Sequence, residues 1–138
     1  MGVLQGKKGL VIGVANNRSI AWGIAEAAKK QGADLAFTYL NEALEKRVRP
    51  LAEKVNSNLI IPCDVQKDED IDNVFAAVKQ HWGELDFIVH SVAFANGDDL
   101  KQGFSETSRA GFSLAMDISA YSLVAVAQRA KQLSLIHI

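Results

Sequence analysis

The chain has 138 residues, of which 49% are hydrophobic and 22% are charged, and its formal net charge at pH 7 is −1. This size and composition predict one globular domain, and the near-neutral charge gives no electrostatic basis for binding nucleic acid or an anionic membrane. We expect no membrane span, because we find no apolar run of the roughly 20 residues that crossing a bilayer requires. The single cysteine, Cys63, excludes an internal disulfide and indicates a reducing, cytoplasmic compartment.

Strand and helix patterns alternate along the chain. Apolar runs predict strands at residues 8–13, 34–40, 58–62 and 85–90. Apolar side chains at helical spacing predict helices at residues 19–31, 42–55 and 68–82, with Gly32 as a C-cap of the first. A looser polar stretch, 95–106, is followed by a long helical pattern from residue 107 to about 131.

This alternation predicts an α/β fold with a doubly wound parallel sheet that stops after the long fourth helix. In such sheets, ligands bind beyond the carboxyl ends of the strands, near the point where the strand order reverses. We therefore expect the binding site in the segments that follow the strands, namely residues 13–20, 40–41, 63–65 and 91–95.

The connection between the first strand and the first helix has features of a phosphate site. Gly13 can form a sharp turn, and Ser19 can cap the helix and offer a hydroxyl group. Ala21 and Gly23 are small enough for the helix to pack closely on the sheet, and its positive end attracts phosphate. The common G-x-G-x-x-G signature is absent, so an ordinary connection with a Ser N-cap is the alternative.

Four segments, taken together, resemble the divergent branch of the short-chain dehydrogenase/reductase family that contains the bacterial enoyl-acyl-carrier-protein reductases. They are G-x5-S-I-A-x-G at residues 13–23, C-D-V at 63–65, H-S-V-A-F-A at 90–95 and D-I-S-A-Y-S at 117–122. The resemblance is collinear from residue 8 to about 131. It implies a Rossmann-type NAD(P)-binding domain at residues 1–132 and NADH-dependent reduction of a trans-2-enoyl thioester of acyl carrier protein in fatty-acid biosynthesis.

The resemblance also implies where the cofactor NADH and the substrate would bind. The pyrophosphate and nicotinamide-ribose side of NADH would lie against Gly13, Val14, Ala15, Ser19 and Ile20. The adenine would meet Asp64, as acceptor of its amino group, and Val65, which would pack on the ring. The alternative for Asp64 is a cap of the loop that follows the strand.

The segment after the fourth strand would face the cofactor ribose and then the substrate. Small residues at Ser91, Val92 and Ala93 would let the backbone approach the ribose, and Phe94 and Ala95 would edge the acyl pocket. The alternative for Phe94 is ordinary core packing.

The end of the second strand commonly decides between NADH and NADPH, because acidic residues there bind the ribose hydroxyls and basic residues bind the 2′-phosphate. Leu40 occupies the position where many relatives carry Gln, and it cannot hydrogen-bond the ribose. The first basic residues, Lys46 and Arg47, come only inside the following helix. This pattern favours NADH.

We assign no catalytic residue and no metal to this chain. Tyr39 and Lys46 have Tyr-x6-Lys spacing, but we expect the tyrosine on the adenosine side and the lysine on a solvated helix. His90 is expected to be a packed, hydrogen-bonded histidine. The resemblance implies that the family's catalytic Tyr and Lys follow a fifth strand beyond the long helix, so we expect the chain alone to be inactive.

The resemblance implies a homotetramer for the complete enzyme, with the long helix buried against a partner subunit through Leu114, Ile118, Val124 and Ala125. Two alternatives remain. One is a ketoreductase of the same family, although its T-G-x3-G-x-G and N-A-G motifs are absent. The other is a non-catalytic module that senses nucleotides.

The last six residues, 133–138, read L-S-L-I-H-I. They can be encoded in frame by CTGTCTCTTATACACATC, the transposase end used in sequencing-library adapters. We therefore expect residues 133–138 to be a non-native tail. The alternative is a short fifth strand, because the sequence alternates between apolar and polar residues.

Overall fold

Four parallel strands in the order β3-β2-β1-β4 form the centre of the computed structural model, which describes residues 2–133. The strands are Lys8–Ile12 (β1), Asp34–Tyr39 (β2), Ile60–Pro62 (β3) and Phe87–His90 (β4). The strand order reverses at β1, because the chain steps outward to β2 and β3 and then returns to the other side of β1 as β4. The predicted doubly wound parallel sheet is confirmed.

The three predicted helices that alternate with the strands are present as Ile20–Lys30 (α1), Glu42–Lys54 (α2) and Asp68–His81 (α3). The looser polar stretch, 95–106, contains a short helix, Gly97–Lys101 (α4), and a 3₁₀ turn, Phe104–Glu106. The expected long helix consists of Arg109–Met116 (α5), a π turn at Asp117–Tyr121 and Ser122–Ala130 (α6). The long helix therefore follows α4 instead of being the fourth helix, and the π turn interrupts its regular α-helical geometry.

Helices cover both faces of the sheet because successive strand residues point to opposite sides. On β1, Val11 faces α1 and α2, whereas Leu10 and Ile12 face α3 and α6. The first face buries Leu35, Phe37, Ala21, Ala25, Val48 and Leu51, and the second buries Ala36, Ile71, Val74, Val78, Ala125 and Val126.

The α1 helix ends at a glycine, as its sequence predicts. Gly32 has φ 96°, a left-handed conformation that other residues rarely adopt. Its N–H donates to Lys29 O, and the N–H of Ala33 donates to Ala28 O. These two bonds form a Schellman motif, which turns the chain directly into β2.

The helical stretch Arg109–Ala130 bears on our expectation of no membrane span but does not overturn it, because the core helix of a globular protein can have the same length and composition. It is 22 residues long and, by length and composition, apolar enough to cross a bilayer. Ala125 and Val126, in its α6 part, pack into the core. Only 22% of the most apolar 18-residue segment of Arg109–Ala130 is buried. Leu133, the first residue of the expected tail, is buried in the same core, and residues 134–138 lie outside the described part of the chain.

Candidate functional site

The backbones that leave β1 and β4 touch at Gly13. This residue has φ 111°, and a Cβ atom there would overlap the backbone carbonyl of Ser91. The N–H of Ser91 donates to Ile12 O at 2.9 Å, so hydrogen bonding between the strands continues beyond β4. The contact lies where the strand order reverses, which is where doubly wound sheets bind ligands.

A cavity of about 400 Å³ opens beside this contact, at the carboxyl ends of the strands. Its size is typical of small-molecule sites, and its lining is mostly apolar. The structure brings together ten residues that the sequence predicted for the site: Gly13, Val14, Ala15, Leu40, Asp64, Val65, Ser91, Val92, Ala93 and Phe94.

Three predicted site residues, Ser19, Ile20 and Ala95, are not among the residues that line this cavity. Sequence reasoning missed other lining residues, including Leu114 and Ile118, which it placed at a subunit interface. The i, i+4 spacing of Leu114 and Ile118 signals a shared helix face but does not reveal what that face contacts. The other missed residues are Ile12, Thr38, Leu44 and Gln66. Cys63 and Tyr39 also line the cavity, the first within the expected segment 63–65 and the second expected on the adenosine side.

A second cavity, of about 480 Å³, lies between α1 and the outer edge of β4. Its lining is almost entirely apolar and includes Ile24, Ala27, Phe87 and Val89. None of the predicted site residues lines it, so its larger volume does not make it the better candidate.

Ser19 occupies the N-cap position of α1 but does not cap the helix with its side chain. Its hydroxyl oxygen instead accepts hydrogen bonds from the N–H groups of Ala15 at 2.9 Å and Asn16 at 3.1 Å. The predicted side-chain cap is therefore wrong, and the serine closes the preceding loop. Of the first N–H groups of α1, those of Trp22 and Gly23 donate to Ser19 O. Those of Ile20 and Ala21 have no acceptor among the described hydrogen bonds, which leaves these two free to bind an anion.

The predicted role of Gly23 is also wrong. A Cβ atom on Gly23 would meet nothing within 4 Å, so the helix does not use this glycine to approach the sheet. Ala21 and Ala25 are fully buried and form the close contact instead.

The corner between β2 and α2 offers the cavity an apolar side chain. Leu40 lines the cavity and is 53% exposed. The side chain of Asn41 caps α2 by accepting from Leu44 N at 3.0 Å, and Glu42 forms an exposed ion pair with Lys46 at 3.3 Å. Among the described lining residues, Asp64 is the one with a charged side chain.

Asp64 is held in the loop after β3 by two hydrogen bonds. Its N–H donates to Asp70 Oδ2 at 2.8 Å, and its Oδ1 accepts from Gln66 N at 3.0 Å. The loop-capping role that the sequence left as an alternative is therefore present. A carboxylate has further acceptor positions, so this bond leaves Asp64 able to accept an N–H group from a base.

Cys63 is part of the cavity wall but is not a nucleophile. Burial raises the pKa of its thiol to about 12, and the nearby carboxylates of Asp70 and Asp64 act in the same direction. Because the thiolate is the reactive form, the side chain is inert near neutral pH.

His90 is hydrogen-bonded, as expected, with Nε2 at 2.8 Å from the hydroxyl oxygen of Ser122. Burial lowers the pKa of His90, which favours the neutral ring. Tyr39 lines the cavity and burial raises its pKa, whereas Lys46 is paired on the exposed side of α2. Tyr39 and Lys46 therefore do not form a catalytic pair. Within residues 2–133, no group of three His, Cys, Asp or Glu side chains could hold a metal ion.

Comparison with protein families gives a match between residues 13–136 and the model described as enoyl-(acyl carrier protein) reductase. The chain is 50% identical to enoyl-[acyl-carrier-protein] reductase [NADH] 2 of Rhizobium meliloti, over 96% of this chain and 49% of the relative. It is 53% identical to enoyl-[acyl-carrier-protein] reductase [NADH] FabI of Aquifex aeolicus, over 91% of this chain and 47% of the relative. The chain thus spans about half the length of the curated relatives it matches.

Solved structures agree with this result. The crystal structure of the Aquifex aeolicus reductase has a TM-score of 0.94 and 50% identity, covering 96% of this chain and 53% of that one. The Anaplasma phagocytophilum reductase in complex with NAD has a TM-score of 0.92 and 48% identity, covering 96% and 51%. The Bacillus cereus reductase with NADP+ and indole naphthyridinone has a TM-score of 0.94 and 51% identity, covering 97% and 53%.

We expect Gly13→Ala to destabilise the chain by at least about 2 kcal/mol, because the new Cβ requires a strained φ and overlaps the backbone of Ser91. Gly23→Ala is the matched control, and it should stabilise α1 by up to about 1 kcal/mol because alanine favours the helix. Urea unfolding followed by circular dichroism measures both. Equal stability of the two variants would contradict the Gly13 contact.

We expect Cys63 to react with iodoacetamide about a thousandfold more slowly at pH 8 than the thiol of the urea-unfolded chain, because burial raises its pKa. The rate should rise about tenfold per pH unit up to about pH 12. Mass spectrometry of timed samples measures the modification. A native thiol that reacts as fast as the unfolded one would show that the pKa is not raised.

Proposed function

The chain belongs to the enoyl-(acyl carrier protein) reductase family, and from this premise we propose that it is the nucleotide-binding part of an enzyme that reduces trans-2-enoyl thioesters of acyl carrier protein with NADH. The observation that carries this proposal is the cavity at the reversal point of the sheet, where ten residues expected at the cofactor and substrate sites converge. The relatives in the comparison carry the NADH-dependent activity in their names.

The pyrophosphate of NADH would lie between the turn at Gly13 and the first turn of α1. Gly13 has no side chain, so its left-handed turn leaves room for the pyrophosphate. The unpaired N–H groups at the start of α1 would donate to the phosphate oxygens, and the positive end of the helix dipole would attract them. Ser19 fixes the loop through its bonds to Ala15 and Asn16, and its hydroxyl hydrogen stays available to an anion.

The adenosine half would extend over the ends of β2 and β3. Asp64 is held in place by its loop bonds and would accept the adenine amino group, while Val65 would pack on the ring. Leu40 would cover the ribose without hydrogen-bonding it. The described residues place no basic side chain in the cavity lining, which supports NADH over NADPH because a 2′-phosphate would lack a counter-charge.

NADH bound in this cavity would supply the hydride for the β-carbon of the enoyl thioester, and the α-carbon would take up a proton. This chain would orient the two reactants: Ser91, Val92 and Ala93 beside the nicotinamide ribose, and Phe94 and Ala95 at the edge of the acyl pocket. We infer that the groups that stabilise the developing oxyanion belong to the part of the relatives' length that this chain does not span.

We also infer a cytoplasmic homotetramer for the complete enzyme, with neither nucleic acid nor membrane as a partner. The outer side of the long helix supports the subunit contact because its large apolar side chains are about half exposed. They are Phe112, Met116, Tyr121, Leu123 and Val124. Such a surface is typical of a helix that packs against another protein.

The decisive experiment joins residues 1–132 of this chain to the second half of the Aquifex aeolicus reductase. We expect the joined protein to oxidise NADH when a trans-2-enoyl thioester is added, and not when the saturated thioester is added. The 138-residue chain alone should bind NADH without oxidising it. A folded joined protein that binds NADH and has no reductase activity would refute the proposed reaction.

We expect Leu40→Gln to tighten NADH binding about fivefold, because one hydrogen bond to the ribose contributes about 1 kcal/mol. Leu100→Gln is the matched control, since Leu100 lies outside the cavity lining and is 74% exposed. Titration followed by NADH fluorescence measures both dissociation constants. An unchanged constant for Leu40→Gln would show that the ribose does not lie beside this residue.

A further inference from the structure

The π turn at Asp117–Tyr121 changes which side chains the long helix presents to the sheet. The N–H of Ser122 donates to Asp117 O, five residues earlier, instead of to Ile118 O, four residues earlier. The hydroxyl of Ser122 donates to Ile118 O at 2.6 Å, so that carbonyl still has a partner. The extra residue in the turn shifts the following side chains by about 100° around the helix.

The turn directs Ser119 at the backbone of Phe94. The hydroxyl oxygen of Ser119 accepts from Phe94 N at 3.1 Å, and the same hydroxyl donates to Phe94 O at 3.3 Å. One side chain therefore binds both polar groups of one residue across a sequence separation of 25. Phe94 itself is 47% exposed, so little packing holds its side chain in place.

A second serine, which directly follows the turn as the first residue of α6, anchors the strand that leads to Phe94. Ser122 bonds His90, the last residue of β4, at 2.8 Å. Ser119 and Ser122 both bond the chain segment that begins at the end of β4. Together they fix both ends of the segment 90–94, which lines the cavity between residues 91 and 94.

The same helix also contributes side chains to the cavity lining. Leu114 and Ile118 line the cavity together with Phe94, and Ile118 is the neighbour of Ser119 in sequence. Ser119 therefore links the helix that carries Leu114 and Ile118 to the backbone of Phe94.

We propose that Ser119 is a positioning residue that sets the width of the acyl side of the cavity by holding the backbone of Phe94. This inference rests on the proposed function, because it takes the ligand at this wall to be the acyl chain of a thioester. Ser119 does not touch the reacting atoms, and its effect is on which acyl chains fit.

The test compares Ser119→Ala, Ser119→Thr and the control Ser113→Ala, an exposed serine on α5. Hydrogen–deuterium exchange at the Phe94 amide is measured by mass spectrometry on the 138-residue chain. We expect the exchange to accelerate at least about fivefold in Ser119→Ala, which removes both bonds to Phe94, and to stay within twofold in the other two variants.

Kinetics are measured on the joined protein with enoyl thioesters of short and long acyl chains. We expect Ser119→Ala to change the ratio of the two thioester KM values at least threefold, with the KM for NADH within twofold, and Ser119→Thr to restore the ratio. Unchanged Phe94 exchange, or equal changes in all KM values, would overturn the proposal. An inactive joined protein that binds NADH would count against the proposed function instead, and the exchange result would still decide whether Ser119 holds Phe94.

Discussion

The contact between Gly13 and Ser91 is the constraint on which the site depends. The β1–β4 ladder runs in register from the Gly9–Phe87 pair to the Ile12–His90 pair, and the bond from Ser91 N to Ile12 O extends it one residue further. The two chains then separate only after their backbones have come too close for a side chain at Gly13. This proximity holds the loop to α1 and the segment 91–94 beside one cavity.

The polar side chains around the cavity mostly bind their own loops. Ser19 bonds the loop before α1, Asn41 caps α2, Asp64 closes the turn after β3, and Ser119 holds Phe94. Each bond orders a loop before any ligand arrives, which reduces the entropy that binding would otherwise cost. The donors left for a phosphate are the hydroxyl of Ser19 and the main-chain N–H groups at the start of α1, whose positions follow from the helix itself.

The sequence predicted the sheet, three helices and most of the cavity lining. The spacing of hydrophobic residues within an element and the residues that follow each strand can both be read from short stretches of sequence. It did not predict the π turn or α4, since neither has a repeat that a short window can show. The bond from Ser119 to Phe94 depends on tertiary packing across 25 residues, so no local pattern reveals it. Gly23 was misjudged because small size alone does not show which face of α1 meets the sheet.

The composition of the long helix follows from contacts on more than one side. Its α6 part buries Ala125 and Val126 against the sheet, and its α5 part contributes Leu114 to the cavity wall, yet large apolar side chains also remain on its outer side. A helix that is apolar on most sides has the composition of a membrane-spanning helix, although each of its sides can contact a different part of a protein. If the outer side is the proposed subunit contact, one helix joins that contact to the cavity.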